Sequence, residues 1–188
     1  MKKKILVSLL ILFLLAIAGG IFWYWQNQKD VRDINETLPE GVKVAKSLFG
    51  KDYTVVNKID GYEFKVPEAW EGIEKIEYVP EEIVMGIKTT GIGIEGKIGG
   101  QIILSIDVYF LDTENLNLFE QSQKIWTFFE LSGDLIEISI GEFKVVKAQE
   151  NIYLGGTYVY FFSKGNKMYV LNNGSEEFIQ EIILNGKW

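Results

Sequence analysis

The chain is 188 residues long and holds neither cysteine nor histidine. Those absences exclude disulfides, thiol nucleophiles, iron–sulfur clusters, cysteine or imidazole zinc sites, histidine-ligated haem and the Ser-His-Asp triad, so no cofactor is expected. The formal net charge is −7 and the only arginine is Arg32. This argues against nucleic acid as a partner and against the guanidinium fork that usually grips phosphate or carboxylate.

Residues 5–25 form one apolar run, ending in Trp23, Tyr24 and Trp25 and preceded by Lys2, Lys3 and Lys4. A helix needs about 20 such residues to cross a hydrocarbon core. Positive charge beside a first apolar segment stays cytoplasmic, and aromatic rings favour the headgroup region at the far side. Residues 1–25 are therefore expected to be a signal anchor crossing the lipid bilayer once, with the N-terminus cytoplasmic and the C-terminal part outside. Setting the three lysines aside leaves that outer part at −10. The alternative is secretion after cleavage near Ala18, because Leu15-Ala16-Ile17-Ala18 before Gly19 carries the small-x-small pattern of a signal peptide. Against it, the released chain would begin with the sticky stretch Ile21 to Trp25. With no cysteine to acylate, a lipoprotein is excluded.

Residues 26–41 are polar and read as a stalk, either a helical extension of the anchor or a flexible linker, broken by Pro39-Glu40-Gly41. Residues 42–188 are expected to be one extracytoplasmic domain. Val42 to Ala45 and Asp52 to Val56 look like short strands, Ile59-Asp60-Gly61 like a turn, and Tyr62 to Val66 alternates with the period of a half-buried strand. Ile73 to Val79 alternates again, and Glu81-Glu82 after Pro80 reads as a solvated turn. Gly86 to Glu95 and Gln101 to Leu111 form a long hairpin, with Ile102, Leu104, Ile106, Val108 and Phe110 on its more buried face.

Helical spacing follows at Leu116, Phe119, Gln123, Trp126, Phe129 and Glu130, with Asp112 to Asn115 as caps and Gly133-Asp134 as the stop. Ile136 to Ile140, Phe143 to Ala148, Gly156 to Phe162 and Lys167 to Leu171 are predicted strands. Ser175 caps a last helix, with Glu176 and Glu177 favourably placed in its first turn. Short turns between strands imply a mainly antiparallel sheet flanked by helices: an α+β fold, an α/β/α sandwich.

Two phrases carry a resemblance. Gly61-Tyr62-Glu63-Phe64-Lys65-Val66-Pro67-Glu68-Ala69-Trp70 opens the domain, and Phe178-Ile179-Gln180-Glu181-Ile182 to Lys187-Trp188 closes it. Together they resemble the PsbP-like superfamily over about residues 53–188. The resemblance implies an antiparallel sheet flanked by helices, with Pro67 to Trp70 ending a strand and plugging the core, and Phe178 and Ile182 seating the last helix. It carries no common active site and favours an accessory or scaffolding role.

Chemistry-bearing patterns are few. Gly91 to Gly96 matches GxGxxG by letter, but a strand follows it where a dinucleotide loop needs a helix, so it reads as a glycine-rich hairpin. Asp107, Asp112 and Glu114 lack calcium-loop spacing and read as caps and a solvated strand face. No serine sits in GxSxG or SxxK, and a Ser-Lys pair assembled only in space stays open. Tyr158 and Tyr160 share a strand face and are the candidate partner-binding residues, weighed against plain cross-strand packing. The expectation is thus a membrane-anchored accessory or scaffold domain that binds an envelope protein without catalysis. The alternative is a hydrolase using carboxylates or a Ser-Lys pair.

Overall fold

The computed structural model of the chain describes residues 2–47, 52–66, 72–97, 100–112, 117–149 and 158–188, with side chains from residue 9 onward. The side chains of Lys2, Lys3 and Lys4, the Pro67 to Trp70 phrase, residues 113–116 with Glu114, and Tyr153 with Gly155-Gly156 lie outside the described residues.

An apolar run with no polar face has nothing to fold against, and α1 (Lys2–Asn27) stands clear of the rest. Its segment Leu9–Asn27 is long and apolar enough to cross a membrane and none of it is buried. One residue, Gln28, separates it from α2 (Lys29–Asn35). The stretch read as a stalk thus contains a docked helix. Val31 and Ile34, three residues apart and so on one face, are buried in the domain core. The Asn35 side chain pairs with β1 (Val42–Lys46) like a short piece of strand, donating to the Val44 carbonyl at 2.9 Å and accepting from its N–H at 2.7 Å.

β1, β2 (Tyr53–Asn57) and β3 (Tyr62–Val66) form a three-stranded antiparallel sheet in that order. A second, seven-stranded sheet contains β4 (Ile73–Val84), β5 (Ile87–Gly96), β6 (Ile102–Phe110), β7 (Leu135–Ile140), β8 (Phe143–Gln149), β9 (Tyr158–Lys164) and β10 (Lys167–Asn172). Its order is β4-β5-β6-β10-β9-β8-β7, with every pairing antiparallel. With α3 (Leu118–Phe128) and α4 (Glu176–Asn185) the fold is α+β, with two antiparallel sheets and four helices.

Several boundaries differ from the sequence reading. β4 runs on through Pro80 to Val84, so Glu81-Glu82 is strand and the turn is Met85-Gly86. A proline is tolerated because β4 is an edge strand, and the register shifts between Val79 and Glu82 absorb it. The cap of α3 is Asn117, whose side chain accepts from the Glu120 N–H. The helix ends where Glu130 turns left-handed at φ 54°, and Leu131 closes back onto the Trp126 carbonyl.

Each face of the large sheet carries its own core. On one face Leu104, Ile106, Val108, Phe162, Tyr169 and Leu171 pack with the small sheet, α2 and α4. On the other, Val146, Val159, Phe161, Met168 and Val170 pack with Ile125 and Trp126 of α3. Phe178 and Ile182 are buried, as expected of the residues seating the last helix. The chain end pairs with the small sheet through Glu63 and Lys187. This lays the Trp188 ring 5.6 Å from Tyr62, 4.8 Å from Phe162 and 5.0 Å from Tyr169, centroid to centroid.

The turn between β2 and β3 latches the sheets together. Asp60 is fully buried. Its carboxylate accepts from Thr90 Oγ1 of β5 at 2.7 Å and from Asn57 Nδ2 at 2.6 Å. Its carbonyl accepts from Lys167 Nζ of β10 at 2.6 Å. Removing the carboxylate leaves two buried donors unpaired. Asp60→Ala is expected to cost about 3 kcal/mol, read as an earlier chemical-denaturation midpoint of the full chain. An unchanged midpoint would show that the latch is idle.

Candidate functional site

The two candidate tyrosines lie side by side on β9, ring centroids 6.5 Å apart. Tyr160 is fully buried and Tyr158 half-buried. α4 covers them. Lys147 of β8 holds its ammonium 4.2 Å from the centre of the Tyr158 ring and donates to Glu176 of α4 at 2.6 Å. Glu176 also accepts from Gln180 Nε2 at 3.0 Å. Of the pair, only Tyr158 presents surface.

The Ser-Lys possibility takes a definite form. Ser139 of β7 and Lys144 of β8 are directly opposed in the ladder, and both border a groove with Ser163 and Asn117. Both are exposed. A lysine acting as base needs its ammonium desolvated, and Lys144 is exposed.

The most site-like feature lies on the second face of the large sheet. Seven strands spaced about 4.8 Å apart make a surface near 30 Å wide, whereas one helix covers about 10 Å. α3 packs on β7, β8 and β9 and leaves the β4–β6 strip without a helix. Where helix and strip meet, a cavity of about 380 Å³ opens. Its walls are apolar: Val84, Tyr109, Ile125, Phe129, Phe161 and Val170 among them. Its polar groups come from four strands and the turn after β10: Glu82, Thr89, Asp107, Asn172 and Asn173.

The register explains how these meet. Gly91 of β5 stands opposite Asp107 of β6, and Glu82 opposite Thr89. A Cβ on Gly91 would come within 2.8 Å of Asp107 Oδ1, so the missing side chain is what gives the carboxylate its place. The first glycine of the GxGxxG match serves this packing role inside a strand. At the rim Asn173 donates to Ser105 Oγ at 3.2 Å and to Asn172 Oδ1.

Burial, with the Glu82 charge as a second cause, pushes the Asp107 carboxyl up to about 6. Burial, then the charges of Asp107 and Glu82, pushes the Tyr109 phenol well above its ordinary range. No donor among the described residues reaches the Asp107 carboxylate. Asp112 is exposed and apart from the cavity lining, and among the described residues no three acidic groups gather to hold a metal. The sequence carried one faint signal for this site, an aspartate facing a glycine across a hairpin. A scan of protein-family models gives no match to the chain, and a search of curated proteins gives none either.

The raised carboxyl has a consequence for stability. The folded chain keeps the Asp107 proton to higher pH than the unfolded chain does. Stability therefore falls as pH rises from about 4 to 6, and the whole cost, up to about 3 kcal/mol, persists above that window. Asp107→Asn removes it. The variant should melt several degrees higher than the parent at pH 8, and the gain should disappear below pH 4. A variant that melts lower at pH 8 would contradict the assignment.

Proposed function

We propose that the protein is a single-pass, membrane-anchored domain that works outside the cytoplasm by binding a protein partner in the cell envelope, without catalysis. α1 supports the anchor by its length and lack of a buried face. The three N-terminal lysines support a cytoplasmic N-terminus, and Trp23, Tyr24 and Trp25 an outer interface. The observation that carries the reading is the junction between helix and domain. Only Gln28 separates α1 from α2, the Arg32 guanidinium lies 4.1 Å over the Trp25 ring, and α2 is bonded to β1 through Asn35. Asp30 adds an ion pair with Lys97 at 2.7 Å. A domain joined this way holds one height and one orientation on its helix. That suits a partner seated in the same membrane better than a substrate arriving from solution.

The surface best suited to such a partner is the end of α3, where Phe128 and Phe129 are 53% and 48% exposed with their rings 5.1 Å apart. Exposed apolar pairs of this kind are what interfaces bury. We read the fold further as PsbP-like, with helices flanking the sheets. The support is the closing phrase, whose Phe178 and Ile182 are buried and whose Trp188 completes the aromatic cluster.

A photocrosslinking side chain at Phe128, with Glu177 on α4 as control position, tests this in intact cells. One discrete adduct from position 128, recovered with membranes and lost when a flexible insertion follows Gln28, is the expected result. Equal adducts at both positions would overturn the partner surface. Protein in the medium beginning at Gly19 would overturn the anchor.

A further inference from the structure

The cavity beside α3 has walls that suit one kind of occupant, and it shares only Phe129 with the proposed partner surface. Its volume of about 380 Å³ falls within the range of about 300–1,000 Å³ usual for small-molecule sites. Among the described residues no lysine or arginine lines it, although the chain has 19 such residues. Two carboxylates do: Asp107 in the floor and Glu82 at the exposed side. The Asp107 carboxylate has no donor among the described residues, and the Gly91 backbone clears the space around it. The remaining wall is aliphatic and aromatic, with Tyr109, Phe129 and Phe161 offering ring surface. A metal ion would want three or more oxygen ligands and no such wall. A neutral apolar molecule would cover the half-buried carboxylate without giving it a partner. An ammonium group on an apolar body satisfies both: charge against Asp107, carbon against the rings.

We infer that this cavity is a binding site for a small organic amine, its ammonium donating to the Asp107 carboxylate, with Glu82 as a second acceptor, and its apolar body lying between α3 and the sheet against Tyr109, Phe129 and Phe161. The inference stands apart from the protein-partner reading and holds whether the domain is anchored or released.

Calorimetric titration of the full chain in lipid nanodiscs with phenethylammonium chloride tests it. Empty nanodiscs give the lipid background, and 3-phenylpropionate serves as the same shape with opposite charge. Saturable binding of the amine is expected and none of the acid. Asp107→Asn should weaken the amine about tenfold or more, and Glu82→Gln by less, since Asp107 is half-buried and Glu82 exposed, and the less solvated charge partner costs more to remove. Asp107→Asn keeps the size of the side chain, and its melting curve reports separately that the fold is intact. Absence of saturable amine binding, equal affinity in Asp107→Asn, or preference for the acid would each overturn the site.

Discussion

A carboxylate with no access to water holds the two sheets of this domain together. Burying a charge is expensive unless every lone pair finds a donor. Asp60 meets that condition with Asn57 from its own turn and Thr90 from β5, while Lys167 from β10 takes its carbonyl. These three residues belong to the small sheet and to two separate strands of the large one. Their donors converge only if the small sheet is seated in one place. The position of β1–β3 in turn decides where Val55, Phe64 and Val66 enter the main core, where Lys187 can pair with Glu63, and therefore where Trp188 comes to rest. α2 docks on β1, so even the first helix takes its position through this turn.

The two faces of the large sheet are covered unequally, and the difference follows from widths. One face receives the small sheet, α2 and α4, and its central residues Leu104, Ile106 and Val108 lose all exposure. Among the described residues the other receives α3. The side chains there adapt to that shortage. Thr89, Gly91, Gly93, Ser105 and Asp107 are small or polar where the opposite face of the same strands is Ile92, Ile94, Leu104 and Ile106. The proposed amine site is what remains where an apolar half-face ends and a polar half-face begins. Its half-buried carboxylate, Asp107, has its space cleared by Gly91.

The hydrolase alternative finds little support in the same geometry. Ser139 and Lys144 are opposed in the ladder but both exposed. Asp107 has a raised carboxyl but only Glu82 as companion among the described residues lining its cavity. On the anchored reading, the rigid passage from α1 into α2 holds the domain at a fixed attitude to the bilayer.

Much of this was legible in the sequence, because much of it is local. The apolar run from residue 5 is a matter of length and hydropathy. Tyr62 to Val66 emerges as read, since strict alternation fixes which side chains turn inward. The last helix begins at Ser175 as its cap chemistry requires. The alternation of β6 also gave its buried face at Leu104, Ile106 and Val108, whereas Ile102 at the start of the strand is exposed. What escaped was whatever depends on residues distant in the chain. Pro80 was read as a break because the sequence does not say that β4 is an edge strand. Residues 29–35 were read as stalk because two apolar residues among polar ones reveal no partner surface. Tyr158 and Tyr160 share a strand face as their spacing implies, and alternation alone did not say that Tyr160 would be buried and Tyr158 half-exposed. By itself the sequence determined the elements, the apolar helix and the exclusion of thiol and imidazole chemistry, all consequences of residue type and period. Only the tertiary structure decided that β10 pairs with β6 across an intervening helix and three strands, that Asp60 becomes a latch, and that Asp107 faces a cavity. Those outcomes depend on which surfaces meet, and no period of two or of 3.6 carries that information.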